Sequence, residues 1–258
     1  MEDKTTFFDF AAEVGLTKHI GGLASTEAIV ELCHIGEGSY ILDVGCGVGV
    51  SPCLIAKKYH CKVMGVDILE KMIERSRERA QREGVADQVK FKVADAQNLP
   101  FEDNLFDAVI TESVTAFPKD KQKAVDEYVR VIKPGGYVGL NESTWLKSPP
   151  PPELIAWAGQ EIGTGANPLT AKEWKTLLEN AGLNKITTKT YEINIQDESK
   201  GILKRYGFGG FMKILGKMLK LYFKSPAYRA FVNNLKNEGV TPNNLDEYFG
   251  YGLYIGQK

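Results

Sequence analysis

Long apolar runs are missing from this sequence. The longest stretch without a charge is Val44–Ala56, rich in glycine and well short of the roughly 20 residues that cross a bilayer. Histidine is scarce, with 3 in 258 residues, and the four cysteines (Cys33, Cys46, Cys53 and Cys61) show no C-x-x-C spacing. That combination argues against a zinc site, and no metal site is expected. All four cysteines fall in the first quarter of the chain, so a disulfide framework would leave the rest unstapled; they read as reduced, buried small residues. Neither sign of charge is in excess: 32 Lys and Arg against 33 Asp and Glu leave a net charge of −1. A protein-wide nucleic-acid footprint is thereby disfavoured, although a local basic patch is still allowed. The start, MEDKTTFFDF, is charged and lacks a signal-peptide core, so a cytoplasmic protein is expected. No internal repeat appears, and the one biased tract is Pro149–Pro152.

What is present is an ordinary soluble composition, 43% hydrophobic and 25% charged, in a length that holds one large domain with an insertion. From Ser39 onward short apolar runs alternate with helical patterns. Strands are expected at Tyr40–Val44, Lys62–Asp67, Val89–Ala94, Phe106–Thr111 and Tyr137–Asn141. Helices are expected at Val50–Tyr59, at Leu69–Glu83 up to Gly84, and at Lys119–Ile132 up to the Lys133-Pro134-Gly135-Gly136 stop. This alternation predicts an α/β fold with a parallel sheet covered on both faces. Ligands then bind beyond the carboxyl ends of the strands.

After the first strand comes Gly45-Cys46-Gly47-Val48-Gly49. A dinucleotide loop would read G-x-G-x-x-G; here Val50 takes the last place and the third glycine comes one residue early. Asp43 also sets a carboxylate where a pyrophosphate would want positive potential. The pair suits a cationic ligand with an amino-acid end. Asp67 follows the second strand, where a carboxylate can accept from both hydroxyls of a ribose or cap the next helix. Asp95, after the third, can accept from an exocyclic adenine amine while the next backbone N–H donates to the ring, or it can cap its own loop.

DVGCGVG, MGVDI, VADAQNLPF, FDAVITESV and VIKPGGYVGL together resemble the successive motifs of class I S-adenosylmethionine-dependent methyltransferases, over about residues 17–145. The likeness is greatest to the small-molecule branch that includes ubiquinone/menaquinone-biosynthesis enzymes and sterol or amine methylators. His19-Ile20-Gly21-Gly22 resembles that branch's H-x-G-G stretch, which implies that His19 and Gly22 help close over the methionine end of S-adenosyl-L-methionine. The resemblance further implies Gly45 and Gly47 approaching the methionine portion, with Asp43 near the same end. Asp67 would hold the ribose, Ile68 would pack on adenine, Asp95 and Ala96 would read its edge, and the Glu112 carbonyl would meet the ligand's amino group. It also implies a Rossmann-like, doubly wound, seven-stranded, mostly parallel sheet whose last strand is antiparallel.

The expected organisation is an N-terminal helical segment (1–38) closing over the cofactor, a core (39–195 and 245–258), and a helical insertion (196–244). Leu183–Ile195 and Asp246–Gly256 are read as the sixth and seventh strands, with a helix at Thr170–Ala181 before them. A second insertion, Thr144–Asn167, is expected to line the acceptor pocket. From Ser199 to Asn237 the chain carries nine Lys and Arg and no Asp or Glu, interleaved with Phe208, Phe211, Met212, Leu215, Leu219 and Phe223 among other apolar residues. The insertion therefore reads as a cap, a substrate lid, or a transient membrane-surface contact through 200–224; Gly207, Gly209, Gly210 and Gly216 are expected to break its helix. Candidate bases are Glu142 just after the fifth strand, His19 and Tyr206. The expected partner is a small-molecule methyl acceptor. The alternatives are a non-catalytic S-adenosylmethionine-binding regulator, a lipid or quinone acceptor, and RNA through the basic insertion.

Overall fold

In the computed structural model, which describes residues 7–17, 19–160, 166–193, 195–238 and 244–258, each apolar run becomes a strand. Two helices, α1 (Phe7–Val14) and α2 (Gly22–Leu32), precede β1 (Tyr40–Val44), α3 (Val50–Tyr59), β2 (Lys62–Asp67), α4 (Glu70–Glu83), β3 (Val89–Val93) and β4 (Phe106–Glu112). Then come α5 (Lys121–Val131), β5 (Ile132–Trp145), α6 (Pro152–Gln160), β6 (Leu169–Thr170), α7 (Ala171–Asn180) and β7 (Asn184–Glu192). The chain ends with α8 (Ile195–Lys224), α9 (Pro226–Glu238), α10 (Leu245–Tyr248) and β8 (Phe249–Gln257).

Successive residues of one strand enter different cores. Ile41, Ile110 and Ile255 pack under α2, α3 and α4, whereas their neighbours Leu42, Val109 and Tyr254 pack against α5 and α7. This is the doubly wound arrangement expected from the alternation. Strand order is β3-β2-β1-β4-β5-β8-β7, and β8 runs antiparallel to both β5 and β7. The short β6 adds an eighth strand beside β5. Going from β3 to β4 the chain crosses to the other side of β1, so the switch point lies between the ends of β1 and β4. Two helices carry clear boundary signals. Asp120 caps α5 by accepting from the Lys123 N–H, and Gly84 ends α4 with φ 72°.

Several boundaries differ from expectation; the expected sixth strand, Leu183–Ile195, is observed as Asn184–Glu192, with Ile195 opening α8. β5 begins at Ile132, just before the Lys-Pro-Gly-Gly stop, where it pairs with Phe106, and it runs on to Trp145 because β8 pairs with it from Tyr137 through Trp145. Glu142 therefore lies within the strand, opposite Gly252, not after it. At the last strand, Leu245–Tyr248 forms a helical turn before pairing begins at Phe249. α8 persists through Gly209, Gly210 and Gly216 and leaves helical geometry only at Gly207 (φ 66°, ψ 167°). A helical glycine costs about 1 kcal/mol against alanine, and the Leu, Met and Lys around these three outweigh it.

The N-terminal segment divides into two roles. Ile29, Val30 and Cys33 of the α2 region belong to the main core, while α1 packs against α4 and α8. In the second insertion, Leu154 and Ala158 join Trp145 in a small separate cluster; residues 161–165 of that stretch lie outside the described ones. All four cysteines are free and buried, and burial pushes the Cys33 and Cys53 thiols up to about 12, so neither is a thiolate nucleophile near neutrality. Among the described residues no helix is long and apolar enough to cross a membrane.

Candidate functional site

A cavity of about 490 Å³ opens at the switch point, floored by the turn after β1 and walled by the ends of β2, β3 and β4. The turn must be glycine for steric reasons that are visible on both sides. Gly45 has φ 74° and a Cβ there would collide with the Val114 side chain. Gly47 has φ 54° and a Cβ would stand 2.6 Å from Thr17 Cγ2. The backbone is thus pressed against the cavity on one side and its cover on the other. Its shape is held by the Gly45 and Cys46 N–H groups donating to the Val66 carbonyl (2.7 and 2.9 Å) and by Ser76 Oγ donating to the Gly47 carbonyl (2.7 Å).

Four acidic residues converge here, each in a different condition. Asp43 is 2% exposed and its Oδ2 has no hydrogen-bond partner. Burial first, then the negative charges of Glu112 and Asp67, push its carboxyl well above the usual range. Asp67 accepts from the Gly47 N–H (3.0 Å, Oδ2) and the Leu69 N–H (3.0 Å, Oδ1). It therefore closes the turn that leads into α4, whose N-cap position is Leu69, and anchors the glycine turn at once. Burial raises its pKa while those two bonds oppose the shift. Glu112 is buried, accepting from Thr26 Oγ1 (2.8 Å) and Ser51 Oγ (2.6 Å), with His19 Nε2 3.3 Å from its Oε2. Asp95 is exposed and accepts from the Gln97 N–H (2.9 Å), so the loop-capping role is realised at the cavity wall.

His19, Asp43, Gly45, Gly47, Asp67, Ile68, Asp95, Ala96 and Glu112 all line the cavity. Ile68 is 66% exposed, an apolar side chain left open at the rim beside Asp67. Gly22 does not line it: it opens α2 with nothing within 4 Å of its Cβ position, and the sterically demanded glycine of the pair is Gly21, against the Tyr251 ring.

The three base candidates all hold contacts with other groups of the protein. Glu142 is fully buried away from the cavity lining. It accepts from the backbone N–H groups of Val114 (3.1 Å), Thr115 (2.7 Å) and Ala116 (3.2 Å) and from Thr111 Oγ1 (3.3 Å). His19, 4% exposed, sits among Ser25, Thr26, Asn141 and Glu112. Tyr206 clasps Thr17: its hydroxyl accepts from the Thr17 N–H (2.7 Å) and donates to the Thr17 carbonyl (2.8 Å). That clasp ties α8 to the segment lying over Gly47. Tyr206→Phe is expected to loosen it by about 1–2 kcal/mol, read as faster amide hydrogen exchange at Thr17 with β1 and α3 unchanged.

Thr17, Ser51, Phe8 and Phe117 were not singled out from sequence. Ser51 carried a weak signal, two residues past the glycine turn; Thr17 and Tyr206 are 189 residues apart and carried none. Among the described residues no group of three His, Cys, Asp or Glu is placed to hold a metal ion.

A glycine turn at the switch point, flanked by acidic residues at the ends of successive parallel strands, sets a cavity at the carboxyl edge of an α/β sheet. Residues 42–140 match a family model described as a methyltransferase domain. Over that stretch, which runs from β1 through most of β5, the chain is similar to S-adenosylmethionine-dependent methyltransferases. It is 28% identical over 226 residues to an uncharacterized protein of Haemophilus influenzae, covering 86% of this chain and 89% of that one. It is 33% identical over 160 residues to the 27-O-demethylrifamycin SV methyltransferase of Amycolatopsis mediterranei, covering 61% of this chain but only 58% of that enzyme. The fold superposes on phosphoethanolamine N-methyltransferase 2 of Haemonchus contortus, solved with phosphomonomethylethanolamine and S-adenosylhomocysteine. The TM-score is 0.73, at 20% identity, over all of this chain and 58% of that one.

Proposed function

We propose that this protein transfers the methyl group of S-adenosylmethionine to a small-molecule acceptor held in the same cavity. The observation that carries the reading is the unpartnered, buried Asp43 Oδ2 beside a glycine turn that no Cβ could join. A cation with an amino group supplies what that oxygen lacks. Asp43 and the turn would receive the methionine end, Asp67 the ribose, and Ile68, Asp95 and Ala96 the adenine.

S-adenosylmethionine supplies an electrophilic methyl on a sulfonium. In the transfer, an acceptor lone pair forms the new bond as the sulfur–methyl bond breaks and its electrons return to sulfur. The chain's contribution is to bind, align and exclude water. Phe8, Leu16, Val114 and Phe117 give the cavity an apolar wall on its α1 side, which suits desolvation of the reacting atoms. Glu142, His19 and Tyr206 already hold hydrogen bonds that shape the site, which favours an acceptor that needs no dedicated protein base. The cavity volume falls in the range of small-molecule sites.

The test supplies the protein with methyl-labelled S-adenosylmethionine and fractionated metabolite extracts. Label is expected in a low-molecular-weight fraction, with S-adenosylhomocysteine released in step. Tight cofactor binding with no transfer to any fraction would overturn the proposal in favour of a binding protein. Label in RNA alone would overturn the small-molecule acceptor.

A further inference from the structure

The described residues include ten exposed large hydrophobics, and six of them lie within a single stretch of α8: Phe208, Phe211, Met212, Leu215, Leu219 and Phe223. Phe208 and Phe223 are 72% and 74% exposed, more than any of the others. Positions 208, 212, 215, 219 and 223 recur at three- and four-residue steps, so on a helix they form one stripe. The stripe is distinct from the packed side of the same helix, where Ile214 is buried and Met218 and Leu221 are half-buried. Lys213, Lys220 and Lys224 are exposed and form a second stripe, roughly a third of a turn from the first by helical geometry. Lys217 is not counted with them, because its Nζ lies against Gly15.

We propose that the 208–224 half of α8 docks on the surface of an anionic lipid bilayer. Its apolar stripe would enter the acyl boundary while its lysines meet lipid headgroup phosphates. Charge decides between the occupants such a face could take. No Asp or Glu occurs between Ser199 and Asn237, so a second copy paired through the same stripe would set lysines against lysines. RNA would satisfy the lysines and could stack on Phe208 and Phe223, but it would leave the aliphatic Met212, Leu215 and Leu219 between them in water. An anionic bilayer satisfies both stripes together. Kinking at Gly207, and only there, leaves 208–224 as an unbroken helix long enough for both stripes to meet one plane.

The experiment uses the full chain and sedimentation with vesicles of phosphatidylcholine alone or phosphatidylcholine mixed with phosphatidylglycerol. Partition into the anionic vesicles is expected, weakening as salt rises. Lys213→Gln, Lys220→Gln and Lys224→Gln together should lower it about a hundredfold. Phe208→Ser with Phe223→Ser should lower it more than tenfold. These side chains lie outside the cofactor cavity, so S-adenosylhomocysteine binding and the thermal midpoint should stay as in the parent. That separates failure of docking from failure of the site. Equal partition into neutral and anionic vesicles, no partition, or partition untouched by both sets of substitutions overturns the proposal. So does a dimer or an RNA complex that is lost with these substitutions while vesicles are not bound.

Discussion

Asp43→Asn is expected to make the protein more stable at neutral pH and worse at holding S-adenosylmethionine, by about 10- to 100-fold in affinity, the loss typical of one charge-assisted contact. Both effects come from the same buried carboxylate. Its folded pKa is raised by burial and by Glu112 and Asp67, so the native state holds the proton more tightly than the unfolded chain does. Stability therefore falls as pH climbs from the ordinary carboxylate value, about 3.9, through the raised folded value, and the full penalty is present above it. Asparagine has no proton to lose. The melting-temperature gain of the variant should thus widen with rising pH and vanish at the acid end. A gain that ignores pH would contradict the argument. In the parent, a cationic ligand binds the ionised form, so affinity should decline on acidification at a higher pH than an ordinary carboxylate would give. Calorimetric titration of both proteins across that range should find the decline flattened in the variant.

Glu142→Ala should destabilise the fold by about 3–5 kcal/mol, a cost set by three loop N–H groups left without acceptors in a dry interior. The loop concerned carries Val114, which faces Gly45, and leads to Phe117, which lines the cavity. Glu142→Gln keeps the shape and one carbonyl oxygen, but its amide nitrogen must face an N–H donor, so it should recover only part of the loss. Urea unfolding measures the size, and amide exchange at Val114, Thr115 and Ala116 locates it. Were the alanine variant as stable as the parent, with those amides still protected, Glu142 would not be the anchor its bonds describe.

These two carboxylates also show where sequence reading stops. The position of Asp43 at the cavity is legible because it depends on local things only, a strand end and a glycine turn two residues on. Glu142 was set just past a strand end as a base, because the apolar pattern weakens at Asn141. The partner that extends the strand through it is β8, more than a hundred residues away. The insertion shows the same limit from the other side. Its glycines predicted several breaks, yet among the described residues three of the four stay helical and only Gly207 leaves helical geometry.

The doubly wound sheet, the switch point, the glycine turn and the acidic residues after successive strands were all determined by the sequence alone. Each is a short-range pattern of apolar period, turn residue and strand-end position, and the parallel fold turns those positions into one edge. Tertiary structure alone decided that Thr17 roofs Gly47, that Tyr206 clasps Thr17, and that α2 belongs to the core. It also decided that one stripe of α8 faces outward. These depend on which surfaces meet between segments far apart in the chain, 189 residues for Thr17 and Tyr206, and no spacing within the sequence encodes that meeting.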